Sequence, residues 1–543
     1  MAAHHPPYHP APRRWGKQHP QRRRIGPYLI AALLLHGCGG GGSGPSQAPA
    51  PPPPGPSAGP VLDLSTTPTG NGILRLSGAA STGQFGVPVA AGSDIDGDGA
   101  EDYAMSAMLA SPLGRTDAGQ VHLVLGDGTL LRGDINSAVD ADDILIIAGA
   151  ARQEVTSSEI WMEDVTGDGI GDLIIARQNY REPSSGRIGA GAVSILVGGA
   201  TVRDLARNNA PLDLAAPPAN ATVLTLVGAA ELDRLGMWMR TGDVTGDGIA
   251  DVLIGADQED GNGEPNRGAA WLLRGGVSLA QTLTVDLANF GATPLAGHLL
   301  KITPPAGATD YHFGATLTVD TAPGSVTRID GATVAGAFAN LRLGEDMLAG
   351  EDYNGDGAAD LFLGDIRGDA LGRTESGVGH VFFTARNLRD RRFAMDAVPA
   401  DLTFSTLAEP EAGAIGADTS LHGDFDGDGI TDLAVASPLA SPSGRFQAGT
   451  VHVLWGQPGP WPARIDLAEG RRPAGFAITD ILGAFGGTGQ SDAGDTLMYS
   501  AAPSDLDGDG RVDLVINEMR ANAGGRNDVG NLLIVSGARV PRD

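Results

Sequence analysis

Asp94-Ile95-Asp96-Gly97-Asp98-Gly99-Ala100-Glu101-Asp102 is the stretch of sequence that decides the fold of this chain. Its pattern, D-x-[DNT]-G-D-G-x-x-D, recurs in six loops, which begin at Asp94, Asp164, Asp243, Asp352, Asp424 and Asp505. The intervals between successive loops are 70, 79, 109, 72 and 81 residues. One structural unit is therefore repeated along the chain, with a single long interval before the fourth loop.

Each loop lies between the same kinds of apolar run. An alternating apolar run precedes the loop, and a β-type run follows it, as in DYAMSA, DVLIGA and DLAVAS. After a polar, Gly-rich segment comes a third run, such as GQVHLVLG, and then a fourth, such as ILIIAGAA. Short runs of this kind, with Gly-rich turns and no helical periodicity, predict an all-β fold. Four strands per repeat are typical of a β-propeller blade.

The sequence resembles the FG-GAP repeats of the integrin α-subunit head and of many bacterial surface proteins. The resemblance covers roughly residues 73 to 537 and is carried by Phe85-Gly86, the six loops and run endings such as Ile254-Gly255-Ala256. It implies a β-propeller that holds Ca²⁺ in the hairpin between the first two strands of each blade.

The order of the runs predicts how the propeller closes. The chain begins with a lone fourth-type strand, Ile73 to Gly78, and ends on a third-type strand, Asn531 to Gly537. We expect these two strands to pair and close the ring, which removes an exposed sheet edge. Six loops predict six four-stranded blades. The alternative is seven, because His312–Leu317 and Ile329–Val334 resemble parts of a unit without its aspartates; the excess length of about 35 residues is short for four strands.

The loops have the donor set of a hard cation. Carboxylates at positions 1, 3, 5 and 9 and a backbone carbonyl at position 7 offer oxygen alone, which suits Ca²⁺. Glycine at position 6 permits the positive φ that bends the loop. Up to six Ca²⁺ ions are predicted. The candidate ligands at positions 1, 3, 5 and 9 are Asp94, Asp96, Asp98 and Asp102; Asp164, Thr166, Asp168 and Asp172; Asp243, Thr245, Asp247 and Asp251; Asp352, Asn354, Asp356 and Asp360; Asp424, Asp426, Asp428 and Asp432; and Asp505, Asp507, Asp509 and Asp513.

Position 12 argues against an EF-hand, the obvious alternative calcium loop. An EF-hand needs a bidentate Glu there, whereas this chain has only apolar residues at that position: Met105, Ile175, Ile254, Leu363, Val435 and Ile516. Solvated turns without metal are the simpler interpretation, but six copies at this spacing make it a poor one. The loops at 94, 424 and 505 offer four carboxylates and the others three, so the three-carboxylate sites should lose calcium first.

The N-terminal region predicts export. Arg22 to Arg24 form a basic segment, and Ile25 to Leu35 form an apolar stretch too short to span a bilayer. Leu35-His36-Gly37-Cys38 resembles the lipobox of bacterial lipoproteins, in which the cysteine is lipidated; a secretory cleavage without lipid is the alternative. We therefore divide the chain into a signal peptide (1–38), a Gly/Pro-rich linker (39–60) and a propeller (61–543), which implies an outer-membrane lipoprotein or a secreted protein.

Composition and the remaining motifs limit the functions that the sequence allows. A net charge of −28 argues against nucleic-acid binding. His122, His380 and His452 occupy strand positions and are interpreted as core residues, and no Ser-His-Asp set can be assigned from sequence. Arg-Gly-Asp tripeptides occur at 132–134 and 367–369; about one copy is expected by chance in this composition, so two say little about adhesion. The favoured hypothesis is a non-catalytic, calcium-binding surface module for an unidentified protein or glycan. An enzyme acting on extracellular polysaccharide is the alternative.

Overall fold

The computed structural model describes a large part of the chain after residue 58. The described ranges are 59–70, 72–78, 85–129, 134–136, 144–208, 210–260, 264–303, 333–335, 343–365, 368, 371, 373, 376–388, 391–395, 397–408, 420–468, 471–488, 494–522 and 529–542. Cys38, the lipobox, nearly all of the linker, the His312–Leu317 segment and most of both Arg-Gly-Asp tripeptides lie outside these ranges. Within them, no helix is long and apolar enough to cross a membrane.

Strands dominate the described residues. The first ten are β1 Val61–Asp63, β2 Ile73–Ser77, β3 Phe85–Ser93, β4 Asp102–Ala107, β5 Gln120–Val124, β6 Asp134–Asn136, β7 Ile144–Ala148, β8 Thr156–Glu163, β9 Asp172–Arg177 and β10 Ala192–Leu196. The next ten are β11 Leu212–Asp213, β12 Val223–Val227, β13 Met239–Gly242, β14 Asp251–Ala256, β15 Ala269–Leu273, β16 Leu283–Asp286, β17 Leu299–Ile302, β18 Thr333–Ala335, β19 Leu343–Ala349 and β20 Leu361–Asp365.

The remaining strands and the helices complete the described secondary structure. The strands are β21 Val378–Phe382, β22 Arg392–Ala394, β23 Phe404–Ala408, β24 Ser420–Gly423, β25 Asp432–Ser437, β26 Thr450–Leu454, β27 Arg464–Asp466, β28 Ile478–Leu482, β29 Leu497–Ser504, β30 Asp513–Glu518 and β31 Asn531–Val535. In the described ranges an α-helix, α1 (Ala200–Arg207), and short 3-10 helices accompany them: Pro112–Gly114, Val277–Leu279, Leu287–Ala292, Ala385–Leu388, Pro442–Gly444 and Gly537–Arg539.

Six sheets each contain one aspartate loop, between their first and second strands. We number loops and sheets 1 to 6 in chain order of the loops. In each sheet four strands pair in antiparallel order: β3-β4-β5-β7, β8-β9-β10-β12, β13-β14-β15-β17, β19-β20-β21-β23, β24-β25-β26-β28 and β29-β30-β31-β2. The all-β prediction and the four apolar runs per repeat are thus confirmed in the described residues.

Sheet 6 takes its fourth strand from the other end of the sequence. Strand β2 pairs antiparallel with β31, with Ile73 opposite Val535 and Ser77 opposite Asn531. The predicted pairing of the N-terminal strand with the last strand is therefore confirmed.

A fifth, parallel strand completes most sheets and was not predicted from the sequence. In each case a short run that precedes the fourth strand of one sheet pairs with the fourth strand of the sheet before it. Leu212 of β11, for example, lies opposite Ile147 of β7. The other pairs are β16 with β12, β27 with β23, β6 with β2, and β1 with β28. The equivalent strand after sheet 4's third strand, β22, pairs instead with β18.

The hydrophobic core lies between neighbouring sheets. Separate apolar clusters join sheet 1 to sheet 2, sheet 2 to sheet 3, sheet 4 to sheet 5, sheet 5 to sheet 6, and sheet 6 to sheet 1. The second strands are central in their sheets, and all six residues of β4, β9 and β30 are buried. Each fully buried aliphatic side chain contributes about 1.5–3 kcal/mol relative to an exposed one, so these clusters supply most of the stabilisation.

Candidate metal centres

The aspartate at position 1 folds each loop back on itself. In loop 1, Asp94 Oδ1 accepts a hydrogen bond from the Asp98 N–H at 3.1 Å, and Oδ2 accepts one from the Gly99 N–H at 2.8 Å. The same two bonds, from positions 5 and 6, form in the other five loops. Side-chain to backbone bonds of this kind set a turn without metal, so the loop geometry is built into the protein.

Glycine at position 6 is required by backbone conformation. The φ angles at this position lie between +78° and +95° in all six loops, as predicted. A Cβ atom built there would meet nothing within 4 Å, so crowding is not the reason for glycine. Position 4 also has positive φ, between +66° and +77°, which explains why both glycines of the G-D-G core recur.

The aspartate at position 9 clamps the loop to a distant part of its own sheet. Asp102 Oδ2 accepts a hydrogen bond from the Ile95 N–H at 2.7 Å, and its Oδ1 accepts one from the Gly126 N–H at 2.6 Å, just past the third strand. Sequence reasoning assigned this residue only as a metal ligand. All six position-9 side chains are fully buried, and the five equivalent donors past the third strand are Gly198, Gly275, Thr384, Gly456 and Gly537.

Burial makes these carboxylates difficult to ionise without a cation. It raises the pKa of Asp102 to about 7 and that of Asp432 to about 8, and the neighbouring loop aspartates add to the shift against the backbone hydrogen bonds. Burial likewise raises the pKa of Asp172 to about 6, and of Asp360 and Asp513 to about 7. A bound divalent cation would favour the charged form instead.

Carboxylate oxygens converge in three of the loops. In each, three aspartates offer oxygens that all lie within 4.8 Å of one another: Asp94, Asp96 and Asp102; Asp424, Asp426 and Asp432; and Asp505, Asp507 and Asp509. Oxygens on opposite sides of one Ca²⁺ are about 5 Å apart, so these groups fit a shared calcium ion. Asp98, Asp428 and Asp513 lie outside these groups.

The other three loops have a neutral residue at position 3. Thr166, Thr245 and Asn354 take the place of the aspartate there, and no group of three carboxylates converges in those loops among the described residues. In those loops only positions 1, 5 and 9 offer carboxylates.

The loops also contact one another, at the ends of the strands that they connect. We call this end of the sheets the loop edge. The Asp94 carbonyl accepts a hydrogen bond from the Gly171 N–H of loop 2 at 2.8 Å, and the Asp424 carbonyl accepts one from the Val512 N–H of loop 6 at 2.9 Å. Loop 6 contacts loop 1 in turn, because Glu101 Oε2 accepts from the Asp505 N–H at 2.9 Å. Neighbouring sheets are thus joined at their loops.

The opposite ends of the strands, which we call the clasp edge, carry repeated ion pairs that sequence reasoning missed. Arg115, between the second and third strands of sheet 1, binds Asp213 at the end of β11 through two 2.6 Å hydrogen bonds. Equivalent bidentate pairs are Arg187 with Asp286, Arg373 with Asp466, and Arg445 with Asp63. We call these four pairs the Arg–Asp clasps. Their sequence signal was a recurring arginine before the third run and an aspartate in the short apolar run after it.

A Ser-His-Asp hydrogen-bond chain lies in sheet 5. Ser437 Oγ lies 3.3 Å from His452 Nε2, and His452 Nδ1 lies 2.8 Å from Asp480 Oδ1, which Arg472 also binds at 2.6 Å. Ser437 has no exposed surface and His452 is only 3% exposed, so a substrate cannot reach the serine unless the strands separate. His122 and His380 are also buried in their strands, as predicted.

Comparison with known proteins identifies the repeat. The family model described as FG-GAP repeat matches residues 236–273 and 418–454. The chain contains FG-GAP repeats. The two matched FG-GAP segments include loops 3 and 5 and the first three strands of their sheets.

No curated protein sequence matches this chain. It is similar to the V. cholerae biofilm matrix protein Bap1, whose crystal structure is 11% identical and aligns over 84% of this chain and 78% of that one, with a TM-score of 0.25.

Proposed function

We propose that this protein is a calcium-binding, non-catalytic β-propeller that is exported to the bacterial cell envelope and binds a protein or glycan. The observation that carries the proposal is the set of six matching aspartate loops, each folded by the same backbone hydrogen bonds. Three of them bring oxygens from three carboxylates to the spacing of a calcium shell. The chemistry that Ca²⁺ would supply here is charge neutralisation.

Within each loop the residues divide the work of holding the ion. Position 1 is oriented by the N–H groups of positions 5 and 6, and position 9 is held by the N–H groups of the loop itself and of the segment after the third strand. Position 5 accepts a hydrogen bond from the N–H of position 7 in all six loops. Calcium would then join the hairpin of the first two strands to the segment after the third strand, which makes its role structural.

A calcium titration of the purified chain tests the proposal. Isothermal titration after chelator treatment should show uptake of up to six Ca²⁺. Asp505→Asn should remove the contribution of loop 6. Asp204→Asn makes the same substitution at an exposed aspartate on α1, outside the loops, and should leave the uptake unchanged. No calcium uptake at millimolar concentration would reject the proposal.

The fifth strands support seven blade positions, the alternative to the predicted six. Each of them pairs with the fourth strand of the preceding unit, and β22 pairs with β18, not with β17 of sheet 3. Strand β18 therefore stands where the fourth strand of an extra unit would lie, between sheets 3 and 4. The apolar clusters follow the same order, since they join the sheets as 4-5-6-1-2-3. We propose a closed ring with one incomplete seventh blade.

The edge opposite the calcium loops is the proposed ligand-binding face. Phe485 and Leu113 are 65% and 55% exposed there, in the connections between the fourth and first and between the second and third strands. Ile188 and Leu371 are exposed in equivalent connections. Apolar side chains in loops on a rigid scaffold are typical of binding surfaces. A glycan array and a screen of surface proteins, run with Phe485→Ser as the matched variant, test this face.

An enzyme remains the second candidate because of the Ser437–His452–Asp480 chain. Cleavage of an ester or polysaccharide that disappears in Ser437→Ala but persists in Ser106→Ala would support it. The complete burial of Ser437 favours the binding module.

Export and anchoring rest on the sequence alone. Radiolabelled palmitate should label the protein in a bacterial host and should fail to label Cys38→Ser. Labelling of neither protein, with both found in the medium, would favour plain secretion.

A further inference from the structure

An arginine from the neighbouring sheet lies on the carboxylates of loop 1. Arg203, on α1 after the third strand of sheet 2, donates two hydrogen bonds to Asp96: Nε to Oδ2 at 2.7 Å and Nη2 to Oδ1 at 2.9 Å. Its Nη2 also lies 3.6 Å from Asp98 Oδ2. The Asp96 side chain is only 2% exposed beneath it. The guanidinium therefore pairs with the carboxylates at positions 3 and 5 of the loop, which are two of the candidate calcium ligands.

Loop 5 has the same arrangement, built from an unrelated part of the chain. Arg542, which follows the 3-10 helix after sheet 6, pairs with Asp426 at position 3, and its Nη1 lies 2.8 Å from Asp428 Oδ2 at position 5. Its guanidinium also lies over the Trp455 ring, 5.2 Å from the centroid. In both cases the arginine comes from the sheet that follows the loop. Two independent segments thus place one cation on the same two loop positions.

Loop 6 differs from loops 1 and 5. It has the same four carboxylates, but its position-3 residue, Asp507, accepts a hydrogen bond from the neutral Ser536 Oγ at 3.0 Å. No ion pair to its aspartates is found among the described residues. Glu101 of loop 1 adds a further carboxylate beside Asp505.

These contacts change the order of charge among the loops. At ligand positions 1, 3, 5 and 9, four carboxylates and one paired guanidinium leave loops 1 and 5 with a formal charge of −3. Glu101, at position 8 of loop 1, binds the loop 6 backbone instead. Loops 2, 3 and 4 have three carboxylates each and the same formal charge. Loop 6 has its own arginine at position 7, Arg511, which lies beside Gly427 of loop 5. Within the described part of the chain, only loop 6 has four ligand-position carboxylates with no ion pair to an arginine. Calcium affinity in oxygen sites rises with ligand charge, and a fixed cation beside the site repels a divalent ion.

We propose that Arg203 and Arg542 act as internal counter-ions that weaken calcium binding at loops 1 and 5, so that loop 6 is the one tight site. The inference rests on the proposed calcium function of the loops and replaces a ranking by carboxylate count alone. At low calcium the two arginines neutralise the loops; at higher calcium the ion competes with them for Asp96 and Asp426.

Competition of the purified full-length chain with a chromophoric calcium chelator tests the proposal by counting tight sites. We expect one tight site in the wild type, two in Arg203→Gln, and three in Arg203→Gln with Arg542→Gln. Each new tight site should bind calcium about tenfold more strongly than before. Asp507→Asn should remove the tight site of the wild type.

Matched control variants separate the effect of the arginine's charge on calcium binding from any effect of the substitution on folding. Arg207→Gln changes an exposed arginine on the same helix, α1, and should leave one tight site. Arg203→Lys keeps the positive charge and should also leave one. Circular dichroism and thermal melting confirm that each variant folds. If Arg203→Gln leaves the count at one, or weakens binding, the counter-ion proposal is wrong; if the wild type binds no calcium at all, the proposed function itself fails.

Discussion

The two edges of the sheets are joined in different ways. At the loop edge, buried aspartates crowd together, and burial raises the pKa of Asp102, Asp172, Asp360, Asp432 and Asp513 to between about 6 and 8. At the opposite edge each Arg–Asp clasp pairs one aspartate with its own guanidinium. We therefore propose that the loop edge takes a cation from solution in addition to Arg203 and Arg542, whereas the clasp edge supplies its own. Calcium should act on one edge of the molecule and leave the other unchanged.

The largest expected effect is the loss of thermal stability on calcium removal. One site at a 100-fold excess of ligand over Kd stabilises the fold by about 2.7 kcal/mol, and several sites act together. We expect excess chelator to lower Tm by more than about 10 °C relative to millimolar calcium. Differential scanning calorimetry measures this, with equal Mg²⁺ as a control that should not restore Tm. Identical melting curves would mean that the loop edge is self-sufficient.

The second effect separates the backbone role of position 9 from its role as a ligand. In chelator, Asp432→Ala leaves the buried N–H groups of Phe425 and Gly456 without an acceptor, so unfolding should cost about 2–4 kcal/mol less. Asp428→Ala removes an exposed side chain of the same loop and should cost less than about 1 kcal/mol. Urea titration of both variants in chelator makes the comparison. Equal losses of stability would show that the hydrogen bonds to the position-9 carboxylate contribute nothing without metal.

The third effect is a pH dependence that calcium should abolish. The position-9 carboxyls have folded pKa values raised from 3.8 to about 6 to 8, so the folded state binds protons that the unfolded chain does not. The stability from protonation is complete below the unfolded pKa and is lost as pH rises through the folded values. In chelator, Tm should therefore fall as pH rises from about 4, and it should level off once pH has passed the folded values of about 6 to 8.

Two further effects must be separated from this pH dependence: that of bound calcium and that of the buried histidines. With saturating calcium the carboxylates stay charged and the decline should disappear. Burial lowers the pKa of His122 and His380 to about 4, which gives the opposite slope, but only below about pH 6.5. A decline of equal size with and without calcium would place its origin outside the loops.

The smallest effect belongs to the clasp edge. Arg115→Ala and Asp213→Ala each break one partly exposed bidentate pair, and a double-mutant cycle should give a coupling of about 1 kcal/mol. Because the clasps hold their own counter-ions, the coupling should be the same in calcium and in chelator. Arg207→Ala, on the exposed face of α1, serves as the control. A coupling that changes with calcium would connect the two edges.

Sequence reasoning recovered what local chemistry dictates. The glycines at position 6, the buried run after each loop and the pairing of β2 with β31 follow from backbone conformation, strand periodicity and the order of runs. The fifth strands were missed because runs such as Leu212–Asp213 are too short to show a period. Arg203 and Arg542 were missed because each reaches a loop that is distant in sequence. The second role of Asp102, as a clamp, required coordinates, since its partner Gly126 carries no side-chain signal.

Sheets 5 and 6 have a consequence for biosynthesis. Arg75 of β2 binds Glu518 of β30 across 443 residues of sequence, and β1 lies against β28. Strand β2 can pair with β6 early, but its other side must stay unpaired until β31 has been synthesised. Folding of this protein is therefore limited by long-range contacts, and a ribosome-bound or truncated chain cannot complete its last two sheets.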